Sequence, residues 1–272
     1  MAWRRPSADT WNNYADPVKL FCHTLGSGPP LVILHGLFGI SDNWMTIGKA
    51  LSQHYRVIIP DLRNHGRSPH AEAFGFFPMM EDLLELVEEH DLTSVVLLGH
   101  SLGGKLAMHF AVQYPEMVQK LIVVDISPRQ TRVRQTHLRM LQAMNAIDFD
   151  QITSRQEVET LLKNHMDSKA HRLFVMKNLV RIDRQRFAWR INLGAIERNI
   201  DEIMEGIPAG SGFDQPTLFI RGGDSDYITG EDLPVIRMMF PHHQMMTIPD
   251  AGHWVHADQP EKFMQRLLEF LG

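Results

Sequence analysis

Only one of the 272 residues is a cysteine, Cys22, so an internal disulfide framework is excluded and a reducing compartment fits. Cys22 lies in Lys19-Leu20-Phe21-Cys22-His23, which reads as a strand with a structural thiol. No run of about 18 apolar residues occurs, the minimum for a membrane-crossing helix. Met1-Ala2-Trp3-Arg4-Arg5-Pro6 has basic residues but no apolar stretch behind them, so neither a secretory leader nor a membrane span is expected, and the expected location is cytoplasmic. Polybasic runs are also missing: 27 Lys and Arg stand interspersed with 32 Asp and Glu, for a net charge of -5. That disfavours nucleic acid or an anionic membrane and leaves a small molecule as the expected partner. The 15 histidines show no paired spacing of a known metal motif, so no metal is expected. What is abundant is apolar surface: 44% hydrophobic residues suffice for one large α/β domain, or one domain with an insertion.

The chain is organised around Val95-Val96-Leu97-Leu98-Gly99-His100-Ser101-Leu102-Gly103-Gly104. An apolar, β-branched run meets a Gly-x-Ser-x-Gly turn and then helix formers, Lys105 to Ala111, giving strand, tight turn and helix. A serine at such an elbow stands exposed at a helix N-terminus, where unpaired amides and the dipole favour developing negative charge. A chance match is the bland alternative, and the strand-turn-helix context weighs against it.

Before the elbow, residues 17 to 25 read as an edge strand and Leu31-Val32-Ile33-Leu34 as a strand covered on both faces. His35-Gly36-Leu37-Phe38-Gly39 follows, then a helix capped by Ser41 or Asp42 and reaching Gln53. Arg56 to Pro60 is another buried strand. Residues 77 to 90 place Met80, Leu83, Leu84 and Val87 on one helical face, with Glu81, Asp82, Glu85, Glu88 and Glu89 outward. After the elbow helix, Leu121-Ile122-Val123-Val124-Asp125 is a buried strand with an acid at its carboxyl end. Strands alternating with helices imply a mostly parallel sheet flanked by helices.

That rhythm breaks from 129 to 207. Stripes at Leu138, Leu141 and Met144, at Val158, Leu161, Leu162 and His165, and at Ile196, Ile200 and Ile203 suggest a helical cap inserted after the strand ending at Asp125. The core would then be 1–128 and 208–272. Met140, Met144, Met166 and Met176 offer the cap an adaptable lining, although ordinary packing explains any single one. The α/β pattern resumes at Thr217 to Arg221, with a helix over 230 to 240, a last strand from Gln244 to Pro249, and a helix from Pro260 to Leu271.

In open parallel sheets, ligands bind beyond the carboxyl ends of the strands. That edge would collect His35, Ser101, Asp125, Asp226 and His253. A serine nucleophile needs a base, itself oriented by a carboxylate. His253, after the last strand, is the natural base, with His256 as competitor. The backbone amides of Leu37 and Leu102 would form the oxyanion hole, and His35 and His100 would brace loops. Spacing does not separate Asp125 from Asp226 as the acid; Asp224 is a weaker third.

The strings His35-Gly36-Leu37-Phe38-Gly39, Asp61-Leu62-Arg63-Asn64-His65-Gly66-Arg67-Ser68-Pro69, Gly99-His100-Ser101-Leu102-Gly103-Gly104-Lys105, Val124-Asp125-Ile126-Ser127-Pro128 and Gly252-His253-Trp254-Val255-His256-Ala257 resemble the α/β-hydrolase superfamily. Within it they are similar to YbfF-type bacterial esterases and their mitochondrial abhydrolase relatives. The resemblance implies an α/β-hydrolase fold with a helical cap, no cofactor, and Asp125 as the triad acid, with Asp226 as the alternative. It also implies hydrolysis of small short- to medium-chain acyl esters by a serine carboxylesterase through an acyl-enzyme. Thioester hydrolysis, carbon-carbon hydrolysis or perhydrolysis would use the same triad, and a non-catalytic small-ligand receptor is the reading from another class.

Overall fold

The computed structural model describes residues 16–183 and 186–272; the Met1 to Pro6 segment read above for a leader lies outside them. In chain order come β1 (Cys22–Leu25), β2 (Pro30–Leu34), α1 (Met45–Leu51), β3 (Arg56–Pro60), α2 (Phe76–Glu89), β4 (Val95–His100), α3 (Leu102–Gln113) and β5 (Val118–Val124). An inserted stretch holds α4 (Gln135–Asn145), α5 (Arg155–Lys163), α6 (Lys169–Val175), β6 (Leu179–Arg181), β7 (Phe187–Trp189) and α7 (Leu193–Arg198). Then follow β8 (Thr217–Gly222), α8 (Leu233–Met239), β9 (His243–Ile248), α9 (Val255–Asp258) and α10 (Pro260–Leu271).

Seven strands form one sheet in the order β1-β3-β2-β4-β5-β8-β9. Edge strand β1 is antiparallel to β3, and the other pairings in this sheet are parallel. Central β4 is buried at every position, as a strand needs when helices cover both faces. Its side chains alternate between two cores: Val95 and Leu97 pack in the one that includes Leu83 and Leu106, Val96 and Leu98 in the one that includes Ile47 and Leu267. Burying each such side chain contributes about 1.5–3 kcal/mol. Among the described residues, no helix is long and apolar enough to cross a membrane.

Several local expectations are corrected. The first strand is shorter than 17 to 25, spanning only Cys22–Leu25, and Cys22 itself is half-buried beside His90 Nε2 at 3.4 Å. The helix expected from Ser41 to Gln53 is a 3-10 turn, Ser41–Trp44, followed by α1. Neither Ser41 nor Asp42 caps it. The Asn43 side chain accepts the Ile40 amide at 2.8 Å, and the Ser41 amide donates to Asp61 Oδ1 at 2.6 Å. On α2, Asp82 does not point outward. It is buried against an equally buried Arg63, which donates Nε to Oδ2 at 2.5 Å and Nη2 to Oδ1 at 2.6 Å, and the Val18 amide adds a 2.7 Å bond. A bidentate cation and a backbone donor are what let a carboxylate leave water.

The stretch between β5 and β8 also differs from a purely helical one. Its helices α5, α6 and α7 open on side-chain caps from Ser154, Ser168 and Asn192, but α7 ends before Ile200, and β6 and β7 pair as an antiparallel hairpin. The stretch is fastened to core loops: Asn178 Nδ2 donates to Phe38 O at 2.8 Å, and the Asn192 amide donates to Asn64 O at 2.9 Å. These ties set its height over the carboxyl ends of β2 and β3.

Candidate active site

Ser101 sits between β4 and α3 with φ 53° and ψ -118°, a conformation L side chains rarely adopt. A Cβ at Gly99 would collide with Gly103 O, and one at Gly103 with Leu34 O, so only glycine lets strand and helix approach this closely. The elbow thus follows directly from the two glycines flanking the serine.

Three distant residues meet there. Ser101 Oγ donates to His253 Nε2 at 3.0 Å, and His253 Nδ1 donates to Asp125 Oδ2 at 2.8 Å. Asp125 directly follows β5 with φ 51°. Its carboxylate also accepts the Gly222 amide at 3.0 Å and the Ser225 hydroxyl, both from the end of β8 and the turn after it. Burial raises the Asp125 carboxyl, and the donors from Ser225 and Gly222 pull it back. Burial also lowers the His253 imidazolium, with neighbouring His137 and the Arg134 guanidinium adding to the effect. His253 is therefore held as a neutral base with Nε2 turned to the serine.

Asp226 takes no part in this relay. Its exposed carboxylate pairs with Arg134 at 2.5 Å, and that hydrogen bond holds it below the usual carboxylate range. Asp224 is exposed, and its amide donates to Ala251 O. His256 stacks on Trp44 at 4.2 Å and 17°, away from the serine. Sequence reasoning missed Tyr227, whose ring stacks on His253 at 3.5 Å and 11°, with the Arg134 guanidinium 3.7 Å from its centroid. It also missed Ser225. Both lie in the turn after β8, where only carboxylates had been sought.

The oxyanion candidates flank the serine. Leu102 opens α3, so its amide is one that a helix start leaves without an intrahelical acceptor. Leu37 lies on the loop after β2, beside Phe38, which is held at φ 60°. The Phe38 amide donates to His65 Nε2 at 3.3 Å, and His65 Nδ1 donates to Arg63 O at 2.9 Å. His35 does the same one loop over, accepting the Leu62 amide at 2.9 Å while donating to Gly36 O at 2.9 Å. His100 Nε2 donates to His253 O at 2.9 Å. His35 and His65 brace the loops only while neutral, because the bare nitrogen that accepts an amide would become a donor on protonation.

Burial, together with neighbouring His35 for His65 and His253 for His100, lowers both from 6.5 to about 3. Below pH 6.5 the unfolded chain therefore binds protons that the folded chain refuses. The stability these neutral rings contribute is complete above that value and is lost as pH falls. Going from about pH 6 to about pH 5 is expected to cost roughly 2 kcal/mol from the two together, read by urea unfolding. His65→Gln should flatten the slope, and an unchanged slope in that variant would contradict the assignment.

A cavity of about 350 Å³ opens onto Ser101 and His253, walled by Met140, Phe174, Tyr227 and Trp254. Met144, Met166 and Met176 are buried in the hydrophobic core instead.

A family model described as alpha/beta hydrolase fold matches residues 29–260. The sn-1-specific diacylglycerol lipase ABHD11 of Danio rerio is 38% identical over 266 residues, covering 94% of this chain and 84% of that protein. Esterase YbfF of Escherichia coli K12 is 30% identical over 244 residues, covering 89% of this chain and 92% of that protein. The solved structure of a marine microorganism esterase has 43% sequence identity and a TM-score of 0.90, covering 93% of this chain and 99% of that one. The chain belongs to the alpha/beta hydrolase fold family and is a hydrolase with esterases and lipases among its relatives.

Proposed function

We propose that the protein is a serine carboxylesterase acting on small acyl esters through an acyl-enzyme. The observation that carries this reading is the continuous relay from Ser101 through His253 to Asp125, at 3.0 and 2.8 Å, facing the 350 Å³ cavity. His253 Nε2 takes the Ser101 proton as Oγ attacks the ester carbonyl. The oxygen, now negative, is held by the Leu37 amide from the loop after β2 and the Leu102 amide at the start of α3. Asp125 stabilises the imidazolium, which then gives its proton to the leaving alkoxide. Water repeats the cycle on the acyl-enzyme and releases the acid.

Residues 129–207 act as the cap that roofs this cavity, with 1–128 and 208–272 as the core. Ties from Asn178 and Asn192 to core loops support that division. The lone cysteine suits a cytoplasmic, reducing setting.

The purified protein is expected to hydrolyse p-nitrophenyl acetate, with kcat/KM rising with pH until the His253–Asp125 pair has lost its proton and then levelling off. The sign follows from the base: a protonated His253 cannot accept from Ser101. Activity that instead grows toward acid pH, or its absence across ester substrates, would remove the reading.

A further inference from the structure

The space around Ser101 has two unequal parts. Besides the 350 Å³ cavity there is a second of about 20 Å³, walled by Leu102, Ile126, Ile203 and Met204. Ser101 and Leu37 border both; His253 borders only the larger, and Leu102 only the smaller. A tetrahedral centre on Ser101 Oγ has three further arms, and the chemistry of the proposed ester hydrolysis, on which this inference rests, distributes them. The oxyanion goes to the amides of Leu37 and Leu102. The leaving oxygen must receive a proton from His253 Nε2, so the alcohol lies on the His253 side, in the larger cavity. The acyl carbon is left the side away from His253, which is the smaller one.

We infer that the protein selects esters of very short acids, acetyl above all, with bulky and largely apolar alcohols. The smaller cavity offers about 20 Å³ against about 350 Å³ for the larger, so the acyl side takes a far shorter group than the alcohol side. The larger cavity, with Met140, Phe174 and Trp254 in its wall, suits an aromatic or branched alcohol.

The size limit is built in rather than hung on a loose lid. Ile203 and Met204 are buried at the point where the inserted stretch returns to the core. There the Thr131 amide donates to Met204 O at 2.8 Å and the Ile207 amide to Pro128 O at 2.8 Å. Buried Lys105 spans both crossings, its Nζ donating to Arg129 O at 2.5 Å and Glu205 O at 2.7 Å. Lys105 borders the small cavity together with Thr131, Arg132, His137 and Tyr227; the Lys105 Nζ is engaged by these carbonyls, and Leu37, Leu102, Ile126, Ile203 and Met204 supply the aliphatic part of the wall.

The test is a matched series on wild-type protein: p-nitrophenyl acetate, butyrate, hexanoate and octanoate, together with ethyl and phenethyl acetate, alongside labelling by a fluorophosphonate. From acetate to hexanoate kcat/KM should fall about tenfold or more, and phenethyl acetate should exceed ethyl acetate. Met204→Ala should raise the hexanoate-to-acetate ratio about tenfold, with Ile203→Val as the milder enlargement in the same direction if Met204→Ala does not fold. A labelled, active enzyme that prefers octanoate, or a folded, enlarged variant with an unchanged ratio, overturns the acyl assignment and leaves ester hydrolysis standing. Loss of both labelling and turnover in the wild type overturns the hydrolysis reading instead.

Discussion

Ser101→Ala is expected to lower kcat for p-nitrophenyl acetate by about 10⁶, leaving a residual rate of roughly 10³ over water from the oxyanion hole and binding. The size of the loss comes from the route, since without Oγ no acyl-enzyme forms and water must attack an unactivated ester. The fold should survive, because a smaller side chain at φ 53° is held by the same Gly99 and Gly103 contacts. The comparison is of steady-state turnover on preparations free of other hydrolases. A rate within about tenfold of wild type would mean the hydroxyl does not attack.

Asp125→Asn is expected to lower kcat by about 10⁴. The carboxylate accepts from His253 Nδ1, and an amide placed there can donate instead, driving the imidazole proton to Nε2, where it faces Ser101 and blocks proton acceptance. Asp226→Asn should cost only about threefold or less, because it breaks an exposed pair with Arg134. The two variants measured side by side separate the candidates. If Asp226→Asn were the more damaging, the triad acid would have to be reassigned.

The two aspartates show where sequence reading stops. Each follows a parallel strand, each is near enough in the chain logic to reach a histidine after the last one, and periodicity cannot choose. What decides is a set of partners far apart in the chain. Ser225 and the Gly222 amide hold Asp125, while Arg134, 92 positions away, holds Asp226. Asp82 was misplaced for the same reason. On a helical wheel a carboxylate belongs outside, and its cation, Arg63, sits on a loop that no helical pattern includes. The β6–β7 hairpin escaped because strands of three residues are too short for a period-two signal. By contrast the central strands and the elbow were readable, because a strand covered on both faces must be apolar throughout and because only glycine fits two positions either side of Ser101.

The most direct test of the central claim is peptide mapping of the adduct formed when the purified protein is treated with a fluorophosphonate. The expected result is one adduct per chain, on the peptide carrying Ser101, with none in Ser101→Ala. An adduct on another residue, or labelling that persists in Ser101→Ala, would contradict the assignment of Ser101 as the nucleophile.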